Sequence, residues 1–301
     1  MAGGQERVLR RRIKSVQSTR KITKAMELIA ASQIARAQAR IAANRPYRAG
    51  MARIILETAK GDSTAAAKML GTPETVRNVV LLVIVGDRGL SGAYNSSVLR
   101  AAERLVDELH AKGVGVSVIA VGKKAIGYFR FRGVPVAHSF QGFSDKPTFS
   151  DARAVADTAA APFVEGEADQ VLLISMRFRS AASQEVETRQ LLPLPRPEVE
   201  AEAAKEPKAE GYTEFEPEAE ELLKELAPKA LESEVFTALL EGSASFHTSQ
   251  QRAMAAATDN ADELVRSLSR VMNRARQDSI TTEIMEIVGG AEALRQEKEH
   301  A

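Results

Sequence analysis

Closely spaced backbone N–H groups next to a lysine are the usual way a protein cradles phosphate. Gly86-Asp87-Arg88-Gly89-Leu90-Ser91-Gly92 follows a strand-like run and precedes a helical one, the place where α/β sheets bind phosphate. Its spacing is not G-x-G-x-x-G, and its aspartate opposes an anion, so spacing favours a tight structural turn. The one Gly-Lys pair, Gly122-Lys123, is followed by Lys124 and has Ser117 where a P-loop needs its first glycine. Nucleotide hydrolysis by that route is excluded. Gly89-Leu90-Ser91-Gly92-Ala93 falls one residue short of the nucleophile elbow G-x-S-x-G. His110, His138, His247 and His300 are scattered and fit no metal spacing. Glu283 and Glu286 could act as acids, but solvated or paired carboxylates are the simpler reading. With Cys 0, disulfides, thiolate metal sites and thiol switches are excluded. The sequence therefore predicts no catalytic residue, no metal and no cofactor.

The elements that carry these residues fall into three blocks of a 301-residue chain. Residues 1–60 read as one long helix, rich in Ala, Arg, Gln, Met and Ile, with Pro46 as its one proline. Leu9, Ile13, Val16, Arg20, Thr23, Glu27, Ala30, Ile34, Ala37 and Ile41 alternate spacings of four and three, a coiled-coil frame with a polar centre. Around that centre Ile22, Met26 and Ile29 form a displaced apolar stripe. A stutter in one seam would produce such a shift; the sharper reading is a second partner near Met26.

Residues 218–301 are helical again. Met254, Ala257, Ala261, Leu264, Leu268, Val271 and Ala275 make a seam in three-four alternation. Beyond it Ile280, Ile284, Ile287 and Val288 form another stripe, and Gly289-Gly290 reads as a helix stop.

Residues 76–195 differ in texture. Val79 to Val85 is a continuous apolar run, the mark of a strand buried on both faces. Further strands are expected at 116–121, 134–140 and 171–175, with an edge strand at 187–194. Helices are expected at 96–112, 123–131 and 150–165, the last capped by Ser150. This alternation means a largely parallel sheet in an α/β layer. Residues 196–217, rich in Glu, Ala, Lys and Pro, read as an acidic flexible loop. The predicted fold is thus α/β: a long antiparallel coiled coil of N- and C-terminal helices with an inserted Rossmann-like domain. A helix of about 60 residues is about 90 Å long, the dimension of a lever, spacer or shaft.

Charge is segregated under a net +1. Residues 1–60 hold 14 basic against 3 acidic side chains, a net +11, and residues 196–234 hold 5 against 13, a net −8. Such halves meet different neighbours. Trp 0 and 5% aromatics weigh against a base-stacking surface. No apolar run approaches the roughly 20 residues that cross a bilayer. No apolar core of the signal-peptide kind opens the chain, and the unbroken helical pattern argues against a transit peptide.

Four stretches, in order along the whole chain, resemble the gamma subunit family of F-type ATP synthases. They are Lys21-Ile22-Thr23-Lys24-Ala25-Met26-Glu27; Asp87-Arg88-Gly89-Leu90-Ser91-Gly92, with serine where the family usually has cysteine; Ala256-Ala257-Thr258-Asp259-Asn260; and Ile280 to Ala291, the most specific. The resemblance implies a non-catalytic rotor shaft, present once per complex, inside a ring of alternating alpha and beta subunits that carry the nucleotide chemistry. It implies binding to the epsilon subunit and the c-subunit ring, with no nucleic acid. The implied setting is peripheral, at the cytoplasmic face of a bacterial cell membrane. It places contacts with the beta subunits at Arg276, Gln277 and Thr281, with Met26 on the facing helix. Ser245 to Arg252 departs from the family pattern, and contacts there do not transfer. The competing reading is a coiled-coil module with a small-ligand α/β domain and a basic helix on nucleic acid; balanced total charge and few aromatics count against it. The full chain on its own is expected neither to bind nor to hydrolyse ATP. Calorimetry that found micromolar ATP affinity would contradict this.

Overall fold

The computed structural model describes residues 2–58, 75–195, 199, 201 and 219–299. Most of the expected acidic loop at 196–217 lies outside them. The elements run α1 (Ala2–Thr58), β1 (Asn78–Ile84), α2 (Tyr94–Ala111), β2 (Gly115–Val121), α3 (Lys123–Arg132), β3 (Val136–Phe140), α4 (Phe149–Val164), β4 (Gln170–Phe178), β5 (Gln184–Leu192) and α5 (Ala219–Glu299). They divide into two compact units. One comprises residues 1–29 and 252–301, the other residues 30–251.

In the larger unit the sheet order is β3-β2-β1-β4-β5. β1 pairs in parallel with β2 and β4, and β2 with β3. β5 closes one edge antiparallel to β4. β1 is apolar at every position after Asn78 because both its faces are covered. On one face Val80, Leu82 and Ile84 pack with α4, with Ile55 of α1 and with Leu231, Val235 and Leu239 of α5. On the other, Leu81, Val83 and Val85 pack with α2, α3 and Phe246. The strand expected at 187–194 starts three residues earlier and ends two earlier, because the β4–β5 hairpin is tight and pairs from Phe178 with Gln184 onward.

The turn after β1 is held by Asp87. Its carboxylate accepts hydrogen bonds from the N–H groups of Lys123 (3.0 Å), Gly142 (2.9 Å) and Ser144 (3.2 Å). Its own N–H donates to Ser144 Oγ (2.9 Å). One short side chain therefore ties the ends of β1, β2 and β3 together, and Lys123 N–H is the exposed first amide of α3. Gly122 makes the approach possible: its φ is +100°, and a Cβ there would stand 2.3 Å from the Val85 carbonyl oxygen.

Two local expectations are corrected. Helix α4 is capped by Thr148, not Ser150, through a capping box in which Thr148 and Asp151 each bond the other's backbone N–H. Ser150 lies inside the first turn. Gly289 and Gly290 do not stop α5, which runs to Glu299. Each costs about 1 kcal/mol relative to alanine in a helix, and the helix formers on both sides outweigh that. Neither adopts the left-handed conformation a glycine stop uses.

Burial disfavours the charge on Asp87, but the hydrogen bonds from Lys123, Ser144 and Gly142 outweigh it and hold the carboxyl below its usual 3.8. A carboxyl lowered in the folded state adds stability above its unfolded pKa and loses it as the pH falls through the folded value. Asp87→Ala is expected to cost about 2–4 kcal/mol at pH 7 by stranding backbone donors. The difference from the parent should shrink at pH 3. Urea unfolding of the full chain at both pH values checks this, and an equal cost at both would contradict it.

Candidate functional site

In the smaller unit, residues 2–29 of α1 pair with α5 from Arg252 onward. Arg20 forms an ion pair with Asp262 (2.5 Å), and the hydroxyls of buried Thr23 and Thr258 share a hydrogen bond (2.8 Å). As the number falls on α1 it rises on α5, so the helices are antiparallel. The polar centre of the expected seam is therefore real. Arg20 leaves the seam to reach a carboxylate, and Thr23 stays in it because it finds a hydroxyl partner. Thr23 and Thr258 also lie within reach of the carbonyls of Arg20 and Met254 on their own helices (3.0 and 2.8 Å), which helps satisfy both hydroxyls. A buried polar pair in an otherwise apolar seam specifies register.

The α5 seam is corrected. Met254, expected in it, is buried, and Thr258, Ala261, Val265, Leu268, Met272, Ala275 and Ser279 continue the shielded frame. Leu264 and Val271, expected in it, are 41% and 47% exposed. Two three-four frames share Met254, Ala261, Leu268 and Ala275, and between 261 and 275 both are apolar, with Leu264 or Val265 and Val271 or Met272. The polar Thr258 pair selects the second frame, which apolar pattern alone does not.

What remains outside the seam is apolar and exposed. Eleven of the sixteen large exposed apolar side chains among the described residues belong to this unit. Ile22 and Ile29 are 58% and 60% exposed, with Met26 half-buried between them. On α5, Ile280, Ile284, Met285, Ile287 and Val288 are all exposed. Counting outward from Thr23–Thr258, α1 runs out opposite about residue 279, so the last apolar stretch of α5 has no facing helix among the described residues. Covering one such side chain stabilises by roughly 1.5–3 kcal/mol, and stripes of this extent mark interaction surfaces.

Arg276, Gln277 and Thr281 are exposed on α5. They are not gathered with Met26. In the observed register Arg276 stands opposite the first turns of α1, about 30 Å along the axis from Met26. The four residues thus lie at two separate levels along the helix pair, one near Met26 and one near Arg276.

In the larger unit, the turn that looked most able to do chemistry is closed to it. Ser91 is 1% exposed and receives the Asn95 side-chain amide (3.3 Å), so it is no exposed nucleophile. Asn95 also accepts from Gly86 N–H (2.9 Å) and donates to the Arg88 carbonyl (3.0 Å). The amides of Lys123, Gly142 and Ser144, which a phosphate would need, already serve Asp87. His247 is buried beside Phe246, and burial brings its pKa down to about 4.

The sequence missed one feature of this unit, a charged layer between the sheet and the long helices. Arg177 holds Glu187 through both carboxylate oxygens (2.7 and 3.0 Å), and Arg48 of α1 pairs with Glu234 of α5 (2.5 Å). Arg189, 5% exposed, stands 3.4–3.8 Å from Glu187, Glu234 and Glu241. Burial raises the Glu241 carboxyl, against the pull of Arg189, Arg177 and Arg48. The alternation of charge in Glu185-Val186-Glu187-Thr188-Arg189 was the available signal; it reads equally well as the solvent face of an edge strand.

A family model described as ATP synthase matches residues 5–294. The ATP synthase gamma chain of Parafrankia sp. is 48% identical over 298 residues, which cover 97% of this chain and 98% of that one. A chain of the Tetrahymena thermophila mitochondrial ATP synthase central stalk and c-ring has TM-score 0.60 at 27% identity, covering 78% of this chain and 99% of that one. One from the Euglena gracilis mitochondrial ATP synthase shares the fold, with TM-score 0.66 at 17% identity over 98% of this chain and 96% of that one. The paired helices, the inserted sheet and near-complete coverage agree: this chain belongs to the ATP synthase gamma chain family.

Proposed function

We infer that this chain is the central-stalk rotor of a proton-translocating F-type ATP synthase, with its paired helices turning inside a ring of alternating alpha and beta subunits. The observation that carries the reading is the apolar surface left over by the helix pair, at Ile22 and Ile29 and from Ile280 to Val288. A surrounding ring covers such a surface without fixing it. Smooth apolar contact has no directional bond to break at each step of a rotation. A step in which a catalytic subunit is pushed needs directional contacts, and Arg276, Gln277 and Thr281 offer exposed polar groups for them. A charge-assisted hydrogen bond is worth about 1.5–3 kcal/mol, strong enough to resist and weak enough to release. Met26 is assigned to a second, lower contact level.

Catalysis belongs to the partner subunits in this reading. Its support is the turn after β1, where a carboxylate of the chain itself takes the first amide of α3 and two amides after β3. The α/β unit is assigned to the epsilon subunit and the c-ring, and the basic face of α1 to acidic surface on the ring. No helix among the described residues is long and apolar enough to cross a membrane. Attachment is therefore assigned to protein contacts at the cytoplasmic face of a bacterial membrane, with one copy per complex.

A bearing and a catch respond differently to damage. Deleting residues 284–301, which removes Ile284, Met285, Ile287 and Val288 and spares Arg276, Gln277 and Thr281, is expected to leave substantial ATPase activity. Arg276→Ala with Gln277→Ala should reduce turnover or proton coupling about tenfold or more, the loss of one to two charge-assisted bonds, while the subunit still assembles. Purified complexes at equal subunit stoichiometry make the comparison. If the deletion abolished turnover and the double substitution left coupling intact, the assignment would be reversed.

A further inference from the structure

The layer between the sheet and the long helices changes character along β4 and β5. Val171, Leu173 and Leu191 belong to the apolar core. On the same face toward the hairpin come Ser175, Arg177, Glu187 and Arg189, since Leu173 pairs with Arg189 and Ser175 with Glu187. Where the polar end meets α1 and α5, the layer opens into a cleft of about 520 Å³. Its walls carry Arg45 and Arg48 from α1, Arg177 from β4, Arg179 just beyond it, and Glu241 from α5.

Four guanidinium groups, two from α1 and two from the end of β4, line this one cleft. Arg48, Arg177 and Arg179 each have a carboxylate partner, in Glu234, Glu187 and Glu185. A guanidinium has five N–H donors in a planar fork, so one carboxylate does not exhaust it. Among the cleft's own lining residues the one acid is Glu241. It is 6% exposed, and its buried Oε2 stands 3.8 Å from Arg189, so it is turned to the charged layer. The donors left over on the guanidinium forks ask for a guest with several anionic oxygens. A carboxylate supplies two oxygens in one plane; a phosphate group presents its oxygens tetrahedrally and can meet donors from more than one wall.

We propose that this cleft binds a phosphate-bearing ligand, gripped by Arg45, Arg48, Arg177 and Arg179. The shared chemistry is a phosphate group, free or on the headgroup of an anionic lipid. Arg45 and Arg179 are the exposed jaws. Arg48 and Arg177 are fixed by their partners and set the spacing. Any ligand held here bridges α1 to the β4–β5 hairpin, and so stiffens the join between the sheet edge and the helix pair within this unit. The rotor reading stands or falls independently of this site.

The test uses the full chain in two arms. In one, inorganic pyrophosphate is titrated calorimetrically at constant ionic strength. In the other, flotation with phosphatidylglycerol vesicles is compared with phosphatidylcholine vesicles. Arg45→Ala with Arg179→Ala removes the exposed jaws and leaves the buried pairs alone; circular dichroism checks that the variant is folded. Arg104→Ala, an exposed arginine on α2, is the charge-matched control. Binding in at least one arm, weakened tenfold or more by the double substitution and unchanged by the control, is the expected result. The arm that responds identifies the source of the phosphate. No binding in either arm, or equal weakening by the control, overturns the proposal.

Discussion

In the smaller unit two helices have chiefly each other to bury apolar surface against. That constraint organises the smaller unit. A two-helix seam shields only one narrow stripe per helix, and here even that stripe includes a threonine pair and an arginine that turns out to an aspartate. The pair gives up some apolar burial to fix which residues face each other. Everything apolar beyond the seam is then left for another molecule. A chain folding only for its own stability would carry polar residues at Ile22, Ile29 and Ile284.

The larger unit solves a different problem. Its sheet is covered on both faces, and the ends of three strands converge on one carboxylate. Asp87 stands where related α/β architectures keep open amides for a ligand. The fold is thus used as a rigid body with its usual binding end tied shut. The charged layer beside β4 and β5 adds a second fastening, from sheet to helices. A buried ion network is a weak source of stability but is broken at high cost. That suits a joint that carries load better than an interior that only has to fold.

Much of this was legible in the residues. The apolar run 79–85 announced a central strand because a strand covered on both faces has no polar position to spare. The three-four spacing of α1 announced the seam and its polar centre. The frame of α5 was misread by one residue, since Leu264 and Val265, and Val271 and Met272, are all apolar; only the Thr23–Thr258 contact separates the alternatives. The cap of α4 was placed two residues late because Thr148 and Ser150 both suit the position, and the decision lies with Asp151, three residues after the true cap. The two glycines near the end of α5 looked like a stop because glycine often is one, but its cost in a helix is small. The separation of Met26 from Arg276 depends on register across the whole pair, which no local pattern contains. The charged layer was invisible because it needs β5, α1 and α5 in one place.

The claim that matters most is that this chain turns within its complex. The native sequence has Cys 0, so a single cysteine at exposed Lys112 on the α/β unit gives one attachment point for a bead or a polarised dye. With the catalytic ring fixed to a surface and ATP supplied, the account predicts stepwise rotation of the label in one direction, stopping when ATP is withdrawn. A label that stays still while the same complexes continue to hydrolyse ATP would contradict it.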